Sequence, residues 1–237
     1  MCEPEEGAVL SLLTTITDAM IRTCARKARE DKRGLLIVSS GGIGDTILFS
    51  LMIERFMSLV PDDEDVTLVV RSESQIVHFL FSERVHMMPV DYRKFIRSPL
   101  YRLSVSKKIR DLGVRTAIST DHLRLPTVDD VMIMASGAAA RYALTPRSWL
   151  KHDAALMQHR KWYTSWIEPE PAMAHRLIRW WELARGLTKD DTPPPKVTFA
   201  PERLPAAVKG ERPHIVLHPF SAIAEREAAP DVFIAIA

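Results

Sequence analysis

Short apolar runs alternate with amphipathic stretches along most of the chain. Leu35–Val38, Val66–Val70 and Val85–Val90 are brief, rich in aliphatic residues and too short for helices. That is the mark of strands buried on both faces. Arg115–Thr120 reads as a fourth strand, and Ser136–Tyr142 leads into a short fifth. Between them lie segments of helical spacing. Ile47, Leu48, Leu51, Ile53, Met57 and Val60 recur at helix-like intervals, Arg71–Ser74 starts a second helix, and Pro126–Ala138 reads as a third, starting near Thr127, Asp129 and Asp130. His175–Arg185 is a further helix, with Gly186 placed to end it, while residues 146–172 read as irregular. Strand and helix in alternation predict a Rossmann-like α/β domain, a parallel sheet with right-handed crossovers and flanking helices. Ahead of it, residues 8–30 form an amphipathic helix whose apolar members include Leu13, Ile16, Met20 and Ile21, with Arg22, Arg26, Lys27 and Arg29 crowding its end. Its plain reading is a helix packed on the domain. The alternative is a membrane-surface element, because basic amphipathic helices lie on anionic lipid.

The first strand runs into Ser39, Ser40, Gly41, Gly42, Ile43, Gly44 and Asp45. Glycines there let the backbone turn sharply and bring N–H groups close to a ligand, and the helix that follows offers a partial positive charge. Two familiar motifs are excluded. A phosphate-binding P-loop needs Gly-Lys-Ser/Thr, and Gly44 is followed by Asp45; a dinucleotide fingerprint needs a third glycine where Ile47 stands. Asp45 is either a first-turn carboxylate that stabilises its helix or a carboxylate held at the end of a strand, where open α/β sheets place their ligands.

Composition sets bounds. The 237 residues are 46% hydrophobic and 26% charged with a formal charge of +2, so the chain is globular and its average charge selects no partner. Cys2 and Cys24 exclude a disulfide scaffold, lack metal-ligand spacing and fit a reducing compartment. No apolar run approaches the roughly 20 residues needed to span a bilayer, and the acidic N-terminus is unlike a signal peptide. The expectation is a cytoplasmic protein. Charge is nonetheless local: Arg93, Lys94, Arg97, Arg102, Lys107, Lys108 and Arg110 place seven cations in residues 93–110 without an acid. Such a run is either a solvated face or a site for an anionic partner. No base-stacking or groove-reading motif accompanies it, so nucleic acid is not expected. Asp121 and His122 end a strand, where either could line a cleft.

Residues 188–213 hold six prolines, the composition of a stiff linker. Beyond them His214–Ala237 restarts the strand–loop–helix plan: Ile215–Leu217, a loop from His218 to Arg226, and helical turns from Pro230. The expected organisation is an N-terminal helix (1–33), a Rossmann-like domain (34–187), a linker (188–213) and the first strand and helix of a second domain (214–237), too little to bury a core.

The Gly41–Asp45 turn resembles that of glycosyltransferase family 9, the ADP-heptose:lipopolysaccharide heptosyltransferases and their relatives. Ser136-Gly-Ala-Ala-Ala-Arg141-Tyr142 is similar to the family's Ser-Gly-Ala-x-x-Arg-x-Gly segment, with Ala143 in place of the glycine. His218, Pro219, Ser221, Arg226 and Pro230 resemble the opening of its second domain, with Ala228 and Ala229 where tryptophan is expected and Phe220 for a common glycine. The resemblance implies a two-Rossmann GT-B fold, cut short in this chain after the start of the donor domain. It implies inverting transfer of a heptose-like sugar from a nucleotide diphosphate sugar to a lipopolysaccharide-core or other anionic glycan acceptor at the inner membrane surface. Asp45 would be the general base, Gly41, Gly42 and Gly44 the acceptor-side turn, and Ser221 and Arg226 donor contacts, with no metal and no cofactor. Two rivals stand beside it: a truncated non-catalytic domain binding an anionic glycan or nucleotide, and a nucleotide-dependent oxidoreductase, against which the missing glycine speaks.

Overall fold

The six predicted and unpredicted strands form one sheet in which every neighbouring pair is parallel, in the order β3-β2-β1-β4-β5-β6. They are β1 (Leu35–Val38), β2 (Val66–Arg71), β3 (Val85–Val90), β4 (Thr116–Ser119), β5 (Ala140–Leu144) and β6 (Ser165–Ile167). The computed structural model describes residues 4–25 and 31–205. Its first compact unit is Met1–Arg203, while the predicted second-domain opening, with His218, Ser221, Arg226 and Pro230, lies outside the described residues.

Side chains alternate across the central strands and bury both faces. Leu36, Val38, Val69, Ala117 and Ala143 point to one side, against Val105 and Ile109 of α5 (Pro99–Asp111) and Val131–Ala135 of α6 (Val131–Ala135). Leu35, Ile37, Leu68 and Ile118 point to the other, against Phe49 of α2 (Ile43–Phe49), Phe56 of α3 (Ile53–Met57) and Trp180 and Leu183 of α8 (Arg176–Thr188). Trp180 meets Phe49 edge-on at 5.2 Å, a geometry worth about 0.5–1.5 kcal/mol beyond the area it buries. The remaining helices are α1 (Pro4–Ala25), α4 (Tyr92–Arg97) and α7 (Asp153–His159).

Four local expectations are corrected. The helix after β1 is broken: Leu51 and Met52 bond three residues back instead of four, and the Ser50 N–H is shared between Thr46 and Ile47. This tighter turn rotates the chain so that Phe49, Met52, Ile53 and Phe56 all stay buried. The segment after β2 is the 3₁₀ helix Ser72–Leu80. Residues 146–172 are not irregular; they hold α7, a 3₁₀ turn at Arg160–Trp162 and the three-residue edge strand β6, too short for its periodicity to show. Gly186 lies inside α8, which ends at left-handed Lys189 (φ 62°). The glycine serves a close approach, since a Cβ there would stand 2.6 Å from the Ile167 side chain of β6.

The N-terminal helix packs on α5 and α6, as expected, and Ile21 joins the core. Thr17 and Ile21 are buried, whereas Leu13, Ile16 and Met20 stay exposed. An ion pair adds to that apolar contact: Asp18 takes both Nε and Nη2 of buried Arg102, at 2.6 and 2.9 Å.

Candidate functional site

In this strand order the connections leave β1 in opposite directions, so a crevice opens at the carboxyl ends of β1 and β4, where doubly wound sheets bind ligands. The chain leaving β1 enters it as Ser40–Gly42, α2 presents Asp45 in its first turn, β4 presents Asp121, and α8 presents Arg176 at its first residue. One guanidinium nitrogen, Nη1 of Arg176, sits 2.8 Å from Oδ1 of Asp121 and 3.3 Å from Oδ2 of Asp45. The other oxygen of Asp121 accepts the backbone N–H and the hydroxyl of Ser40, both at 2.7 Å. Asp121 is thus a buried anchor for both the turn and the arginine. Asp45 is partly open, with its side chain 32% exposed. Its Oδ2 also accepts the Gly42 N–H at 3.2 Å, so the carboxylate does cap α2. Both contacts fall on Oδ2; among the described residues Oδ1 has no partner.

The glycines act differently from expectation. None of Gly41, Gly42 and Gly44 has a positive φ, so the turn requires no left-handed residue. Gly41 is needed for space: a Cβ there would lie 2.4 Å from Cβ of Asp45 and 2.9 Å from Nη1 of Arg176. At Gly42 and Gly44 an added Cβ would meet nothing within 4 Å.

Behind this front lies a second row. Arg71, the last residue of β2, donates Nε to the Ser40 carbonyl at 2.7 Å and stands over the Tyr92 ring. Asp129 is fully buried; one oxygen accepts the Leu125 N–H at 2.7 Å and the Ser40 hydroxyl at 3.3 Å, the other has no partner. Burial, then the nearby Asp121 charge, holds its carboxyl well above the usual carboxylate range. Burial likewise raises the Tyr92 phenol, helped by Asp129 and Asp121.

Other sequence candidates are dispersed. His122 does not join Asp121; it lines a separate cavity of about 470 Å³ with Glu168, Glu170 and Arg179 near β5 and β6. Burial and then the Arg179 charge depress its pKa. The basic run divides between α4 and α5. Arg102 is consumed by Asp18, while Arg93, Lys94, Arg97, Lys107 and Lys108 remain on the surface. Sequence reasoning passed over Arg176 altogether, since an arginine opening a helix carries no motif. It also passed over Arg124, which is fully buried with Asp130 at 2.9 Å and flanked by Tyr163 and Trp166. No cluster of three His, Cys, Asp or Glu side chains suited to a metal occurs among the described residues, nor is any described helix long and apolar enough to cross a membrane.

Comparison with known proteins puts this geometry in context. No protein-family model matches the sequence, and no curated protein sequence does. Solved structures do match by fold. A glycosyl transferase family 9 protein from Veillonella parvula superposes with a TM-score of 0.54 at 16% identity, over 71% of this chain and 45% of that one. The E. coli heptosyltransferase WaaC with ADP gives 0.50 at 16% identity, covering 68% of this chain and 50% of its own. WaaC with ADP-2-deoxy-2-fluoro heptose gives 0.51 at 15%, covering 69% and 50%. This chain therefore carries the all-parallel α/β architecture of about half of a glycosyltransferase family 9 structure.

Proposed function

We propose that this chain is the acceptor-side part of an inverting glycosyltransferase, with Asp45 as its general base. The observation that carries the reading is the half-open Asp45 carboxylate at the strand-order reversal, oriented through Oδ2 by Arg176 and Gly42 and with Oδ1 unclaimed. The fold match to structures crystallised with ADP and an ADP-heptose analogue supports a nucleotide diphosphate sugar as donor. In the reaction, Asp45 Oδ1 takes the proton of the acceptor hydroxyl as that oxygen attacks the anomeric carbon. The bond from that carbon to the diphosphate breaks on the opposite face, and its electron pair leaves with the diphosphate. A base so placed contributes about 10²- to 10⁴-fold. Charge on the leaving group calls for cations and N–H donors, which this reading assigns to the following domain through Ser221 and Arg226.

The acceptor is read as a heptose-like or other anionic glycan of the lipopolysaccharide-core type. The exposed cations Arg93, Lys94 and Arg97 on α4 supply attraction for it. Contact with an anionic inner-membrane surface is supported by exposed Leu13, Ile16 and Met20 on α1, beside Lys107 and Lys108 of its neighbour α5.

The test is transfer from an ADP-activated heptose to a de-acylated lipopolysaccharide-core acceptor by the protein purified from its native source, compared with Asp45→Asn. Loss of turnover with a melting temperature lowered by no more than about 4 °C is the expected result. Wild-type turnover by the variant would leave Asp45 as a helix cap and sink the proposal.

A further inference from the structure

At the opposite end of the sheet, where the strands begin, a cavity of about 540 Å³ opens between α1, β5 and the Arg160–Trp162 turn. Arg141 marks its depth: it is the second residue of β5 and pairs with Ala117, the second of β4. Three cations from three elements converge there: Arg22 from the last turn of α1, Arg141 from β5 and Lys161 from the 3₁₀ turn. Among the described residues no acidic side chain lines the cavity. Trp162 forms a wall, with the Arg22 guanidinium 6.0 Å from its ring centroid and Met134 completing the apolar side.

The charge balance of this cavity is unlike the rest of the domain. The buried arginines elsewhere each hold a carboxylate: Arg102 with Asp18, Arg124 with Asp130, Arg179 with Glu182. Among the described residues no carboxylate pairs with Arg22, Arg141 or Lys161. The Nε of Arg141 is buried with no hydrogen-bond partner. Keeping that Nε of a half-buried guanidinium from water without an acceptor is costly, and burial does weaken the group's hold on its proton. An anion entering the cavity would remove that cost.

We propose that this cavity is a second binding site, separate from the Asp45 crevice, for a small molecule bearing a phosphomonoester. Such a dianion matches a lining whose charged side chains, among the described residues, are Arg22, Arg141 and Lys161, and it accepts from a guanidinium fork at two oxygens. The volume exceeds what phosphate alone needs and falls within the range of small-molecule pockets, and Trp162 and Met134 give it an apolar side.

Titration of the protein with inorganic phosphate and with glucose 6-phosphate tests it, followed by calorimetry and by melting temperature, with chloride matched to hold ionic strength. Saturable binding is expected, tighter for the ester than for phosphate. Losing one charge-assisted contact should weaken it about tenfold or more in Arg141→Gln. Lys161→Glu should do the same; its side chain is exposed, so it also tests the site should Arg141→Gln fold poorly. Asp45→Asn should bind as wild type. Absence of saturation in the wild type, or equal binding by Lys161→Glu, would overturn the site. Tighter binding in Asp45→Asn, which removes a negative charge from the crevice, would place the anion there and overturn it as well.

Discussion

Two aspartate–arginine clusters lie within one domain and are built for opposite ends. Asp130 and Arg124 are fully buried, 2.9 Å apart. Their remaining capacity is spent: Tyr163 donates to Asp130 at 2.6 Å, His159 sits 3.2 Å from it, and Arg124 donates to the Leu144 carbonyl. Only Nη2 of Arg124 is left over. Asp45 and Arg176 use the same chemistry, yet their side chains are 32% and 38% exposed and the carboxylate keeps an oxygen free. A saturated, dry ion pair has nothing to offer a substrate and serves to position β5, β6 and the α7 region. An unsaturated one at a crevice can accept a proton. The residue types are the same; coordination and solvent decide the role.

The sharpest way to break this contrast is to change one aspartate in each cluster and read both rate and stability. Asp45→Asn should cost about 10²- to 10⁴-fold in kcat, while its effect on stability stays near the 0.3–1 kcal/mol of a helix-end charge, or about that. Asp130→Ala should do the reverse. Leaving Arg124 buried and unpaired should cost about 3–5 kcal/mol by urea unfolding, with catalytic parameters of the surviving folded protein little altered. Replacing the pair together with apolar residues, Arg124→Met with Asp130→Leu, should recover most of that loss. If it does not, the network does more than offset its own burial.

Gly41→Ala sharpens the contrast from the backbone side. The new methyl would overlap Asp45 Cβ, which is not the loose end of a side chain. The turn must shift, at about 1–3 kcal/mol, and kcat should fall without any charge being removed. A Gly42→Ala control, where the space is open, should leave kcat much closer to wild type.

The smallest effect concerns the row behind the crevice. Burial and Asp121 raise the folded-state pKa of Asp129 above its unfolded value, near 3.9 or about that. The stability it contributes is complete below about pH 4 and is lost as pH rises through the raised value, at no more than about 1.4 kcal/mol per pH unit. Asp129→Asn, which can still accept from Leu125, should flatten the fall in melting temperature as pH rises above about 4. An unchanged slope would assign that fall to other groups.

Much of the fold was legible. The buried strands announced themselves as aliphatic runs, and β1, β2, β3 and β4 lie where those runs are. What escaped was short or compensated: β6 has three residues, and the turn at Ser50–Met52 keeps the helical period while breaking the helix. Asp45 was legible because the glycine turn isolates it. Arg102 read as one more surface cation and proved to be the buried partner of Asp18, 84 positions away.

By itself the sequence determined the order of β1 to β5 and the place of Asp45 after the first strand. Both follow from local periodicity and from backbone constraints within a few residues. Tertiary structure decided the rest of the site. Asp45, Asp121 and Arg176 lie 131 positions apart from first to last (176 − 45) and meet because β1 pairs with β4 while α8 packs back on the same face as α2. Which cation faces which carboxylate, and whether water reaches them, depends on distance and burial. Those are set when the layers close, and no pattern along the chain encodes them in advance.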